Sequence, residues 1–155
     1  MGTVAAIAAF VPLGFLSGLL GRKKTILLGI LIMAASFGAC FFITKESFVV
    51  YILFGLVGIG CAAINVNSFP MVVDMCKGSD VGRYTGYYYT FSMAAQILTP
   101  ILSGVFIQYL PFGYMSLFPY AIIFAMGSFV TMLFVKHGDV KPVRKQGLEN
   151  FDADL

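Results

Sequence analysis

Five apolar stretches, each about as long as the roughly 20 residues a helix needs to cross a hydrocarbon layer, leave this chain few ways to fold. They cover residues 2–20, 25–43, 48–73, 84–109 and 114–135 of 155. Inside a bilayer, backbone polar groups have no water to bond to, so a spanning segment of this length must satisfy them within itself as a helix. The expected fold class is therefore an all-α membrane protein with five transmembrane helices over residues 1–136, followed by a polar tail over 137–155. Composition points the same way: 59% of the residues are hydrophobic and 11% charged, against about 45–50% apolar in soluble domains.

Several function classes drop out. The net charge of +3 comes from cations just outside the apolar runs, where they act as topology determinants, so nucleic acid is not an expected partner. Cys40 and Cys61 lie inside apolar runs and Cys76 ends one, which does not make a disulfide framework. A cleaved signal peptide would carry its cations before the first apolar run, whereas Arg22, Lys23 and Lys24 follow it. No ionisable side chain falls in the middle of a span, so the usual mark of an intramembrane proton or ion relay is absent. There is no Ser-His-Asp set, metal-ligand cluster or phosphate loop, and the one histidine, His137, lies in the tail. No enzyme, cofactor or metal site is expected.

Charge also orients the chain. Arg22, Lys23, Lys24, Lys77, Arg83, Lys136, Lys141, Arg144 and Lys145 gather on one side, and Lys45 stands on the other. By the positive-inside tendency the basic side and the C-terminus are cytoplasmic. Five spans entering from outside suggest a missing upstream portion.

Polar side chains inside the spans are the candidate binding groups. Thr85, Tyr89, Ser92, Gln96, Thr99 and Ser103 recur every three or four residues, which stacks them along one stripe of a helix. An amide deep in hydrocarbon needs a partner. The stripe therefore either lines a solute cavity or holds helices together through bonds worth about 0.6 kcal/mol each, and its regularity favours the cavity. Asn65, Asn67 and Ser68 form a second cluster. Pro70 beyond them deprives the Val66 carbonyl of its helical donor and favours a gating bend. Of the tyrosines at 87–89, Tyr89 is expected to face the stripe, with Tyr87 and Tyr88 as interfacial anchors. Gly14 and Gly18 have the spacing of closely packed membrane helices.

The stretch GFLSGLLGRKK over residues 14–24 resembles the loop motif G-x-x-x-D/G-R-x-G-R-K/R-K/R of the major facilitator superfamily, which joins the second and third helices of each six-helix half. Gly14, Gly18, Gly21, Arg22, Lys23 and Lys24 match it, while Leu19 stands where the motif has Arg and Gly18 takes the alternative to Asp. With the motif's own acid gone, Asp74 and Asp80 are the carboxylates left to pair with Arg22 or Lys23 in a cytoplasmic latch. The resemblance implies a partial C-terminal half of a twelve-helix fold, helices eight to twelve, lacking its N-terminal half. A second likeness, over residues 67–74 with Gly82, Tyr84, Thr85 and Gly86, is to sugar–cation symporters related to sucrose and glycoside transporters. Together they imply a secondary transporter in the plasma membrane, surrounded by lipid, that moves a small polar solute, first of all a sugar, by alternating access. Symport with a proton or sodium is implied by the resemblance alone. Two other readings stay open: an exporter of drugs or metabolites in the same superfamily, and a truncated scaffold that transports nothing.

Overall fold

The computed structural model describes residues 2–43, 48–76, 80–109 and 113–135. Lys45, Glu46, Lys77, the turn at Pro111 and Phe112, His137 and the tail lie outside the described residues. The chain forms five helices: α1 (Gly2–Leu20), α2 (Arg22–Phe42), α3 (Phe48–Asp74), α4 (Val81–Tyr109) and, after a 3-10 turn over Gly113–Ser116, α5 (Leu117–Phe134). All five are long and apolar enough to cross a membrane, the last counted together with its 3-10 turn.

Two helices start ahead of their apolar runs. α2 begins at Arg22 rather than residue 25, and α4 begins at Val81 rather than residue 84. Hydropathy marks where the hydrocarbon ends, whereas a helix continues into the interfacial region as long as its backbone bonds can close.

Helix α3 is the hub, packed against α1 on one side and α2 on the other, with α5 laid on α2. Ile26, Ile30 and Ala34 of α2 meet Met71 of α3 and Ala125 of α5 in one core. Leu13 of α1 meets Ala62 and Ala63 of α3 in a second. Small residues set the spacing. A Cβ placed on Gly29 would sit 2.8 Å from the Ala63 Cβ and 2.9 Å from the Gly60 carbonyl oxygen. One placed on Gly58 would collide with the Gly2 backbone.

The expected close approach at Gly14 and Gly18 is not found among the described residues, where a Cβ at either position meets nothing within 4 Å. The reason is rotational. α1 turns Ala6, Ala9, Leu13 and Leu16 toward α3, and steps of about 100° per residue put Gly14 and Gly18 on the neighbouring face.

One residue joins α1 to α2. Gly21 closes α1 by donating its N–H to the Ser17 carbonyl (3.0 Å) and starts α2 with its carbonyl, which accepts from the Thr25 N–H (3.2 Å). Its φ of 93° and ψ of 146° lie where only glycine is free of a Cβ clash. That geometry accounts for a glycine immediately before three cations.

Candidate functional site

Two constellations carry the polar chemistry: a clasp at the basic end and the stripe along α4. At the basic end, the Arg22 guanidinium is hydrogen-bonded and ion-paired with the Asp74 carboxylate. Lys23 donates through Nζ to the carbonyls of Val135 (2.6 Å) and Leu133 (3.1 Å), and Thr25 Oγ1 donates to the Gly21 carbonyl (3.0 Å). Cations in the first turn of a helix oppose its dipole, but here two of them meet the C-terminal ends of α3 and α5, where a positive charge is favoured. The start of α2 is thereby fastened to the ends of two other helices, which makes α2 antiparallel to both.

Of the two carboxylates expected to stand in for the motif's acid, the structure places Asp74 on Arg22, while Asp80 is exposed and has no ion-pair partner among the described residues. Lys24 is exposed as well. The Lys23 contacts had no sequence signal, because its acceptors are backbone carbonyls 110 and 112 residues away. The Arg22 and Asp74 side chains are 30% and 29% exposed, so solvent screens the pair and its worth is about 0 to 1 kcal/mol. Asp74→Asn should therefore leave thermal unfolding in detergent nearly unchanged. If the pair acts as a latch, the same substitution shifts the balance of conformations, measurable as a changed rate of thiol labelling at Cys76, two residues beyond it. Unfolding at markedly lower temperature would mean that the pair holds the bundle together rather than tuning it.

Asn65 and Asn67 are not brought to one place. Two helical positions apart, they differ by about 200° in direction: Asn65 is exposed, and Asn67 is 1% exposed. Asn67 Nδ2 donates to the Ala63 carbonyl one turn back (2.7 Å), and Ser68 Oγ does the same to Ile64 (2.6 Å). This bonding lets polar side chains sit in a packed membrane helix without an external partner. Pro70 is half-buried inside α3, which is helical on both sides of it.

The α4 stripe is the least covered polar surface inside the spans. No residue of α4 is buried by the other four helices. Tyr89, Gln96 and Thr99 are exposed, and Thr85, Ser92 and Ser103 half-buried. Ser92, Ala95, Gln96, Thr99 and Pro100 line a shallow groove. Gln96 Nε2 reaches Ser92 Oγ at 3.5 Å, the outer limit of a hydrogen bond, so most of its bonding capacity is unused within the bundle. The groove can present an amide and two hydroxyls, with no charge, to a neutral hydroxylated molecule.

The tyrosines divide differently from expectation. Tyr88, Tyr89 and Phe69 form a triangle of rings with centroids 5.5 to 5.8 Å apart, and Tyr88 turns into a cleft between α2, α3 and α5 instead of standing as an anchor. Tyr87 accepts a hydrogen bond from Arg83 Nε (3.0 Å) and lies under its guanidinium. The sequence order of three identical residues carries no signal of which one packs inward.

The sequence model of the Major Facilitator Superfamily matches residues 1–153. No solved structure matches the chain.

Proposed function

This chain belongs to the Major Facilitator Superfamily of membrane transporters, and from that premise we propose that it supplies helices eight to twelve of a twelve-helix secondary transporter moving a small polar solute, a sugar first, by alternating access. It is a multi-pass integral membrane protein and not an enzyme. The observation that carries the solute reading is the α4 stripe. Hydroxyl and amide groups run along a membrane-crossing helix of which no residue is buried by the other described helices. A surface of that kind is unfavourable against lipid and requires either water and solute or another helical bundle in front of it. In transporters built from two related bundles, the solute site lies between them near the membrane midplane, where Gln96 falls. The Arg22–Asp74 pair and the Lys23 tether, at the end read as cytoplasmic from its cations, are placed to bias which side is open. With no carboxylate in the middle of these spans, a group that couples transport to a proton or sodium would belong to the other half.

An uptake panel on cells expressing the full in-frame product tests this reading. Saturable accumulation of a neutral sugar, competed by other hydroxylated solutes, is the expected result. Movement of apolar cations alone, indifferent to sugars, would overturn it in favour of an exporter.

A further inference from the structure

Besides the α4 groove, the described residues line a cleft at the basic end, of about 270 Å³. Its walls are Ile26 and Ile30 of α2, Ile64 and Met71 of α3, and Met132 and Val135 of α5, with Tyr88 of α4 along one side. The lining on α3 runs from Ile64 to Val72, ~12 Å along the helix axis at 1.5 Å per residue, and continues to Met75 just beyond it. The cleft is thus elongated parallel to the helices, and it reaches the level of the clasp, since the Val135 carbonyl that accepts from Lys23 belongs to its lining.

Its chemistry favours an apolar guest. Of its hydroxyls, those of Ser68 and Thr131 donate to the Ile64 and Ser128 carbonyls of their own helices (2.6 and 2.9 Å), which leaves those of Ser128 and Tyr88 in an otherwise aliphatic and thioether lining. Most of what a ligand meets there is aliphatic, thioether and aromatic surface. The volume lies just under the range of about 300–1,000 Å³ typical of drug-sized sites, too small for a whole lipid and suited to a single chain. The charge at the open end adds the second element. Among the described residues, that end carries Arg22, Lys23, Lys24 and Arg83 against Asp74 and Asp80, and an excess of cations beside a membrane-crossing helix attracts anionic headgroups.

We propose that this cleft takes one acyl chain of an anionic membrane lipid, with the headgroup held at the basic end. Such a lipid would wedge α5 and the start of α4 against α2 and α3. The site is separate from the stripe read as the solute path, and it stands or falls independently of which solute is moved.

The test places the intact membrane protein in nanodiscs containing, at equal mole fraction, phosphatidylglycerol or phosphatidylcholine with a photoactivatable diazirine midway along one acyl chain. Cross-linked positions are then mapped by mass spectrometry. Phosphatidylglycerol is expected to label Met71, Met132 or Tyr88 about fivefold more than phosphatidylcholine, the preference that one juxtamembrane cation confers. Lys24→Gln combined with Arg83→Gln should bring the two probes level. Ser128→Phe, at an exposed position of the lining, should remove labelling inside the cleft and leave labelling elsewhere on the chain in place. Equal labelling of the cleft by both probes in the unaltered protein would overturn the anionic lipid, and absence of label there with either probe would overturn the site altogether. Neither of those outcomes depends on a variant folding.

Discussion

Gln96→Leu is expected to raise the solute concentration needed for half-maximal uptake by roughly five- to 150-fold while leaving the protein folded and in the membrane. The two halves of that expectation have separate physical sources. Stability should hold because Gln96 is exposed and its one contact, to Ser92 Oγ, is 3.5 Å long. Leucine has about the same size, a high helix propensity and no polar group to satisfy, so α4 loses almost nothing. Transport should suffer because a solute hydroxyl that bonds the amide is left unpaired in a partly dry site, at a cost of about 1 to 3 kcal/mol, which converts to the stated range at 1.4 kcal/mol per tenfold. Position adds to the case: Gln96 is about 20 Å along the axis from either end of α4, the depth at which a solute between two bundles would sit. Ser92→Ala and Thr99→Val, each removing one hydroxyl of the same groove, should have smaller effects in the same direction. Unchanged uptake kinetics in Gln96→Leu for every accepted solute, with normal amounts in the membrane, would return the stripe to a helix-packing role.

The contrast between what this chain's sequence announces and what it hides follows the range of the interactions. Five spans are legible because each is a local property of about 20 consecutive side chains measured against a membrane of known thickness. The single-residue turn at Gly21 is legible for a similar reason, since a glycine before a basic run ends one apolar segment and starts the next. Asp74 and Asp80 could both be named as partners of Arg22, but choosing between them needs the docking of α3 on α2, which depends on Gly29 and Gly60 far from either charge. Docking of this kind, between each pair of helices, decides which face of a helix is covered. It sends Asn67 inward and Asn65 outward, puts Tyr88 rather than Tyr89 into the cleft, and leaves Gly14 and Gly18 open although their spacing suits close packing. A period of three or four residues says that groups share a face, and says nothing about what that face meets. The stripe on α4 is therefore legible as a stripe, whereas its exposure depends on the other helices packing mainly against one another and touching α4 only lightly through α3 and α5.

The second large effect is expected at the contact that does this docking. A Cβ on Gly60 would lie 2.7 Å from the Gly29 carbonyl oxygen and 3.2 Å from the Met33 Cβ, and a Cβ on Gly29 would meet the Gly60 carbonyl oxygen in return. The obstructions are backbone carbonyls and Cβ atoms, which no change of rotamer moves, so the helices must separate. Gly60→Ala should cost about 1 to 3 kcal/mol, the usual range for overpacking a close-fitting interior, and Gly60→Leu more. A membrane makes recovery harder than water would, because lipid chains are as apolar as the core and give no drive to close the gap again. Separation here also loosens Ala62 and Ala63, which are 0% and 1% exposed, and Ile30 at 2%, and it draws Asp74 away from Arg22 at the basic end. Gly55→Leu is the matched control, since it lies on the same helix and a Cβ there meets nothing within 4 Å. Replacing glycine in a helix should if anything add about 1 kcal/mol of propensity. In detergent, the Gly60 variants should unfold at progressively lower temperature in the order Ala, then Leu, with Gly55→Leu close to the unaltered protein. Equal losses at positions 55 and 60 would show that the bundle is not held at the Gly29–Gly60 approach, and with it would go the account of why Asp74, rather than Asp80, meets Arg22.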